Sequence, residues 1–575
     1  MKFDKDIVIA IAISLVIIFG WGPLCSYFGW FQVAPPATVV EESEVVPAAE
    51  AGTGESGAQV AVAAEAEKIA ELPPGPVVGL ANELMWLSID AGRGDIESVT
   101  MFKYLNAART GQVVLDRAGG DFGALGVFSL AHEWRPVRLV RSESSGDELA
   151  VVREFRNEAG QSFLLTQRFS LSASSYVVNC AYTFTNPGTL PLRIDDLVVG
   201  GGNLAPWAVI SGDRVRIPSH RLDYLTADGS YADIKASRSE EKFFVRPAPL
   251  VDWAAVGNKY FCTILDGDKP YTLWQGRYTL PGTQTAPEHT VISVGAALPG
   301  ETLASGGSVN FEFELYTGPK IIADLDGFNP TTGKVMHLAW GPLDYLARLL
   351  LWILVKLHAV TDSYGVSIIL LTLLVRILFF PVTAKANASM KRMQEFQPKI
   401  KELREKYKDN PQLMNTKMME LYRAEGINPF GGCLPILLQI PVFFALYATL
   451  DGAVELRQES FLWCTDLAAA DTVARINLYF FTLPLNPLVL AMTGLMILQQ
   501  HLQPMSADPM QRRMMAFMPI VMLFFFYDLP SGLTLYWTVS NIFSIIQLLL
   551  LRRSSLPKAG ASPAAATSGT SKKGN

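Results

Sequence analysis

The chain has 575 residues, half of them hydrophobic and only 18% charged, with a net charge of −6. Soluble domains carry about 25% charged residues, so part of this chain belongs in lipid, and wholly soluble, collagen-like and fully disordered classes are excluded. The acidic balance provides no basic footprint overall, and hence no specific nucleic-acid site.

Residues 1–33 open with a short charged stretch and run apolar from Ile7 to about Phe31. A hydrocarbon core of about 30 Å needs about 20 apolar residues, whereas a signal-peptide core has only about 7–15. We therefore expect an uncleaved N-terminal transmembrane anchor. Residues 34–79 set eight glutamates against the single Lys68. Such a segment buries too little apolar surface to offset its ordering entropy, and reads as an acidic flexible linker.

Residues 80–320 change texture. Tyr176, Val178, Cys180, Tyr182 and Phe184 alternate with more polar neighbours until Asn186-Pro187-Gly188 breaks the run, and Val309, Phe311, Phe313 and Leu315 alternate likewise. Period-two patterning between turn clusters predicts half-buried antiparallel strands, here one large β-sandwich. Five cysteines are too few for a disulfide framework. Cys180 and Cys262 read as ordinary buried thiols, with pairing as the alternative. No Cys-x-x-Cys and no histidine cluster has metal-ligand spacing, so no metal and no cofactor is expected.

Residues 321–362 form a connector and a helix. From Pro342 to His358, Asp344, Arg348, Trp352 and Lys356 recur at four-residue steps, while Leu343, Leu346, Leu350, Ile353 and Leu357 fill another face. This predicts an amphipathic helix at the membrane interface. Five spanning candidates follow: Tyr364 to Val382 (the second transmembrane helix, within 363–383), then Ile427 to Leu450, Asn486 to Gln503, the short Met514 to Tyr527, and Ser531 to Leu551 within 427–553. Residues 554–575 read as a disordered cytoplasmic tail.

Orientation follows from Lys and Arg in short loops. Residues 384–426 hold ten, whereas the loop from Asp451 to Leu485 has only Arg457 and Arg475. This places both termini in the cytoplasm, with six spans and the β-domain outside; in a Gram-negative cell that is the periplasm. The basic segment also carries Met390, Met393, Phe396, Ile400, Leu403 and Tyr407 at helical spacing. After Asp409-Asn410-Pro411, the period is repeated by Met414, Met418 and Leu421. Two antiparallel helices result, with Pro411 suited to a first helical position. Besides a plain solvated connection, this basic helical hairpin reads as a mobile docking surface. Its basic face, with Lys399, Lys401 and Arg404, suits RNA or anionic headgroups.

Arg376 interrupts the apolar run from Ile368 to Phe380. Arginine at a helix centre costs about 2.5–3.5 kcal/mol on insertion scales. Snorkelling to the headgroups relieves this cost, and so does a wet cavity. Thr372 and Thr383 share its helical face, which favours the cavity. Gln439 on the third span, and Thr534, Thr538 and Asn541 with Trp537 on the last, supply further polar positions. Each alone is ordinarily an interhelical hydrogen bond; together they permit a hydrophilic groove with one positive charge.

The segment Leu370–Asp451 resembles the YidC/Oxa1/Alb3 family of membrane protein insertases, and the whole chain resembles its Gram-negative form. The resemblance rests on Leu374-Val375-Arg376, Phe380-Pro381-Val382-Thr383, Gly426-Ile427-Asn428-Pro429-Phe430-Gly431-Gly432-Cys433, Pro530-Ser531-Gly532-Leu533 and Tyr536-Trp537-Thr538-Val539-Ser540-Asn541. It implies an α+β membrane protein: six transmembrane helices, five of them an insertase core, plus a large periplasmic antiparallel β-supersandwich of galactose-mutarotase-like form. It also implies a groove open to cytoplasm and lipid, with Arg376 and Thr372 in it. A family tyrosine on the last span falls at Trp537. Met393, Phe396, Lys399, Lys401 and Arg404 match the cytoplasmic recruitment hairpin.

The implied function is insertion and chaperoning of integral inner-membrane proteins, alone or with the Sec translocon, without enzymatic activity. Nascent membrane proteins, the ribosome, the signal-recognition-particle receptor and membrane lipids are the implied partners. A transporter using Arg376 as an anion counter-ion would need an inverted repeat, and none is evident. A sugar-active enzyme would need converging acid and base residues in the β-domain, and none can be assembled.

Overall fold

The computed structural model describes residues 75–106, 109–116, 123–130, 133–204, 220–236, 243–280, 289–425, 434–477, 482–502 and 509–554. The expected anchor, most of the linker, the Gly426–Cys433 motif and the tail lie outside the described residues. The chain divides into a β-rich unit ending at Met336 and a helical unit beginning at His337.

In the β-rich unit, β1 (Val77–Ala81), β2 (Met85–Asp90), β3 (Asp95–Leu105) and β4 (Gln112–Asp116) pair in chain order. Next in sequence are β5 (Val127–Ser129), β6 (Arg135–Ser145), β7 (Glu148–Arg156), β8 (Ser162–Leu171), β9 (Val177–Thr185), β10 (Leu192–Ile194) and β11 (Leu197–Leu204). They are followed by β12 (Arg221–Thr226), β13 (Tyr231–Lys235), β14 (Leu250–Gly257), β15 (Phe261–Leu280), β16 (His289–Ala297), β17 (Glu301–Leu303) and β18 (Ser308–Pro319). A twelve-stranded sheet runs β13-β12-β14-β15-β18-β9-β8-β7-β6, with β16, β11 and β5 branching from β15; β10 pairs with β17. The strand pairs of this unit are antiparallel.

The alternation read from sequence has its physical counterpart here. Val178, Cys180, Tyr182 and Phe184 of β9 are buried while their neighbours are half-exposed. Phe184 lies opposite Val309, and Cys180 opposite Phe313. Cys180 and Cys262 are free buried thiols. Burial also encloses polar groups, and one cluster of them is bonded. Arg153 donates to Arg93 O and Gln167 Oε1. Gln167 Nε2 reaches Gly94 O and Leu125 O, both at 2.9 Å. Burial, partly offset by Asp95, pushes Arg153 down to about 10. The connector folds onto the same unit through α1 (Ile322–Phe328): Leu325, Val335 and Met336 are buried, and Trp253 Nε1 donates to Thr331 Oγ1 at 2.7 Å.

His220 is buried beside β12. Burial chiefly, with a smaller contribution from the Lys320 ammonium, pushes it down to about 4. The unfolded chain therefore takes up a proton near pH 6.5 that the fold refuses until about pH 4. This stability is present above the unfolded pKa and is lost as pH falls through that window. We expect a loss of about 2 kcal/mol between pH 7 and pH 5. Urea unfolding of the full chain, followed by tryptophan fluorescence, checks this, and His220→Gln should flatten the difference.

The helical unit contains α2 (Pro342–Thr361), α3 (Tyr364–Glu395), α4 (Gln397–Lys406), α5 (Pro411–Ala424), α6 (Leu434–Gly452), α7 (Pro487–Leu502), α8 (Pro509–Phe526) and α9 (Ser531–Ser554). Among the described residues, α3 over Tyr364–Ala386 and α9 over Ser531–Leu550 are long and apolar enough to cross a membrane; α7 and Met515–Phe526 are shorter apolar helices. The helix expected to end at Val382 instead runs unbroken through Pro381 to Glu395. Proline removes one backbone donor, and nearby the Thr383 hydroxyl bonds Phe380 O at 3.0 Å and Phe379 O at 3.2 Å.

The faces of α2 also differ from expectation. Ala347, Leu350, Leu351 and Leu354 are buried, and Thr449 Oγ1 of α6 bonds Ala347 O at 3.0 Å. Trp352 is exposed, as expected of the face it shares with Asp344 and Arg348, and the exposed Tyr345 and Leu349 extend that face. Asp344 and Arg348 pair with each other at 2.6 Å. Neutralised this way, the pair sits beside apolar surface on both flanks, and packing rather than charge selects the buried stripe.

Residues 453–477 and 482–486 tie the helices together at one end. Ser531 Oγ bonds Asp466 O at 2.8 Å, and Gly532 N bonds Leu467 O at 2.9 Å, holding the start of α9. Asp471 Oδ2 accepts from Leu488 N at the start of α7. Asn486 Nδ2 donates to Tyr527 O, just beyond α8, at 2.6 Å. The Phe461 ring lies against Gly365 near the start of α3, where a Cβ would stand 2.1 Å from it. The starts of α3, α7 and α9 and the end of α8 therefore share one end.

Candidate functional site

Arg376 lies on α3, half-buried, and donates to Ser540 Oγ on α9. A helical side chain meets its neighbours three and four positions away, so Tyr536 and Ser540 share a face of α9. Gln439 Nε2 of α6 donates to the Tyr536 hydroxyl, one helical turn from Ser540. Three helices thus contribute a guanidinium, an amide, a phenol and a serine. These four side chains include no carboxylate, so within this set the cation has one hydrogen-bond partner, Ser540, and no ion-pair partner. Such a set orients polar groups by hydrogen bonding and attracts negative charge. It holds no acid–base pair for bond-breaking chemistry.

The other expected residues divide. Thr372 is fully buried, with its hydroxyl on Ile368 O of its own helix at 2.7 Å. Thr538 likewise bonds Thr534 O at 2.7 Å. Asn541 is buried, and its Nδ2 has no hydrogen-bond partner among the described residues. Trp537 points elsewhere: its ring packs 5.4 Å from that of Phe443 and 5.2 Å from that of Phe526. The phenol that meets the polar cluster is Tyr536, one residue earlier. One residue on a helix is a turn of about 100°, which separates an aromatic packing face from a polar one.

Ser540 and Tyr536 were missed by sequence reasoning, which followed the Thr534, Thr538 and Asn541 stripe. Their four-residue spacing was the available signal. Removing the phenol hydroxyl should strand the Gln439 amide. We expect Tyr536→Phe to destabilise the helical unit by about 1–3 kcal/mol, with Gln439→Leu in the same chain recovering most of it. Unfolding in mixed micelles, scored for the single and double variants, measures this.

The hairpin helices adopt the predicted arrangement of seam and cap. Asn410 Oδ1 accepts from Leu413 N at 3.1 Å, capping α5, with Pro411 at its first position. Ile400 is buried, and Met393, Phe396, Leu403, Tyr407, Met414, Met418 and Leu421 are half-buried. Lys401 is exposed and Arg404 half-buried. Lys399 pairs with Glu425 at 3.3 Å and lies 5.1 Å over the Phe396 ring. Part of its charge is therefore engaged within the hairpin.

The family model for a 60Kd inner membrane protein matches residues 356–558, and that for the YidC periplasmic domain matches residues 78–353. The chain is 30% identical over 568 residues to the membrane protein insertase YidC of Nitratidesulfovibrio vulgaris, covering 95% of this chain and 98% of that one. It is 28% identical to the protein of the same name from Herminiimonas arsenicoxydans, over 94% of this chain and 97% of the other. A crystal structure of an active YidC insertase with its first transmembrane domain resolved covers 83% of this chain and 94% of its own, at 18% identity and a TM-score of 0.34.

Proposed function

Since this chain belongs to the YidC family of membrane protein insertases, non-enzymatic proteins of the bacterial inner membrane with a periplasmic domain, we propose that it moves client segments across that membrane through a polar path centred on Arg376. The family's clients are nascent membrane proteins. The supporting observation is the bond from Arg376 on α3 to Ser540 on α9, with Gln439 and Tyr536 beside it. A charge at that depth is tolerated where polar groups and water receive it.

In this reading the chain crosses six times, both termini are cytoplasmic, and the β-rich unit is periplasmic and built as a supersandwich. The domain limits are those read from the sequence, from the anchor at 1–33 to the tail at 554–575. Short, weakly polar client tails enter from the cytoplasm. Arg376 and water lower the cost of bringing their polar groups partway across, and the short helices α7 and α8 thin the bilayer locally. Client helices then partition into lipid, which is downhill and needs no nucleotide. The α4–α5 hairpin, with Met393, Phe396, Lys399, Lys401 and Arg404, recruits clients and ribosomes. Thr372, Thr538 and Asn541 line the path, and Trp537 supports it through Phe443 and Phe526. The same path serves as a folding chaperone beside the Sec translocon, reached through the signal-recognition-particle receptor.

The test is insertion of a small single-span client into liposomes that contain only the purified full chain, scored by protease protection. Protection of the translocated tail is the expected outcome. Failure with a panel of clients would overturn autonomous insertion.

A further inference from the structure

The loop that ties the helix ends carries a feature that insertion does not call on. The strands β19 (Ala474–Asn477) and β20 (Thr482–Leu485) pair antiparallel, with Ala474 opposite Leu485, Arg475 opposite Pro484 and Ile476 opposite Leu483. Directly opposed residues share a face of a two-stranded sheet. One face therefore carries Ala474, Ile476, Leu483 and Leu485, and the other carries Arg475, Asn477 and Pro484. The apolar face is open: Ile476 is 46% exposed and Leu483 38%, with Val473 at 50% just before the strand. The residues joining the strands in sequence, Leu478-Tyr479-Phe480-Phe481, carry no charge. An isolated two-stranded hairpin is at best marginally stable in water, and an uncovered apolar face makes it less so.

The position of the strand pair says what covers it. Val473 N bonds Leu485 O at 3.0 Å, and the Tyr527 hydroxyl bonds Pro484 O, so the base is clamped to the end of α8. Only Asn486 separates Leu485 from α7, whose Leu490, Ile497 and Leu498 are exposed apolar side chains. Leu483 stands four residues before Pro487, a reach of at most about 14 Å. The headgroup layer beyond each edge of the hydrocarbon core is itself about 5–8 Å thick. The open face thus lies a short reach from the start of α7, close enough to fall at the boundary of the bilayer if α7 spans it. On the turn nearby, Leu462 is 74% exposed and Trp463 46%, and aromatic side chains of this kind favour the interface.

We propose that the paired strands β19 and β20 are a lipid-binding element that lays Ile476 and Leu483 into the bilayer interface, with Arg475 on the opposite face turned to water and headgroups. The partner is the lipid surface. Anchored there, the strand pair holds the shared end of α7, α8 and α9 at a set depth. The inference rests on α7 being a spanning helix, as proposed above.

The test places the photoreactive residue p-benzoylphenylalanine singly at Ile476, Leu483, Asn477 and Ile497 of the full chain, in liposomes of phosphatidylethanolamine and phosphatidylglycerol, and identifies adducts by mass. Lipid adducts at Ile476 and Leu483 should approach those at Ile497 and exceed those at Asn477 by about tenfold, as partitioning of one apolar side chain implies. Adducts from Ile476 and Leu483 to peptides of the β-rich unit, to a second copy or to no molecule at all, with Ile497 still labelling lipid, would overturn the proposal. Loss of lipid adducts at Ile497 itself would instead remove the spanning assignment of α7. Two positions on one face guard against a single substitution disturbing the strand pair.

Discussion

Arg376→Ala should slow insertion of clients with acidic extracytoplasmic tails by roughly 30- to 150-fold, the equivalent of about 2–3 kcal/mol of barrier. The guanidinium is bonded to Ser540 on another helix and, apart from Lys385 next to the last residue of the α3 span, carries the only charge on the described spans of α3 and α9. Its removal leaves Ser540, Tyr536 and Gln439 to receive an incoming carboxylate with neutral dipoles alone. Arg376→Lys should retain an intermediate rate, because it keeps the charge and loses the planar fork of donors. Clients with neutral tails should be slowed much less. Protease protection in liposomes, run for acidic and neutral tails with each variant, separates these outcomes. Equal insertion of acidic tails by wild type and Arg376→Ala, at equal reconstituted amounts, would remove the polar path while keeping the insertase.

The second large effect lies in the β-rich unit. Trp253→Ala should destabilise that unit by about 3–5 kcal/mol. Trp253 is fully buried on β14, and its indole nitrogen holds Thr331 of the connector at 2.7 Å. Asn329, two residues before Thr331, reaches Asp266 of β15 at 2.8 Å. The tryptophan thus fills the core and pins the connector to the sheet. Thr331→Val removes the acceptor of the indole and the hydroxyl's own bond to Asn329 Oδ1 at 2.8 Å, and should cost about 1–2 kcal/mol, chiefly by leaving the indole donor buried and unpaired. Urea unfolding of the full chain in detergent gives both values. A loss below about 1 kcal/mol for Trp253→Ala would show that the core collapses around the vacancy.

The strands were legible because burial of one sheet face imposes period two on the sequence, as along β9 and β18. The hairpin helices were legible for a similar reason: Asn410-Pro411 is both a turn and a cap, whatever the helices pack against. Arg376 stood out because a charge in an apolar run is costly enough to need an explanation. Composition by itself placed the chain in a membrane, and the motif order around Arg376 pointed to the family.

What remained hidden depended on contacts between residues far apart in sequence. Proline reads as a helix end, and only the folded chain shows α3 passing through Pro381. Ser540 and Tyr536 look like ordinary residues of an apolar helix until α3 and α6 bring Arg376 and Gln439 to them across more than 90 residues of sequence. Trp537 and Tyr536 differ by one position, and which of them meets the polar cluster is set by the rotation of α9 about its axis, decided by packing against Phe443 and Phe526. On α2 the pattern gave one apolar stripe through Leu350, and packing against α6 through Thr449 shifted the buried line to Ala347, Leu351 and Leu354 beside it. Local periodicity is a property of the chain and can be read from it. The choice among equivalent faces is made by the free energy of close packing, which exists only once the neighbours are in place.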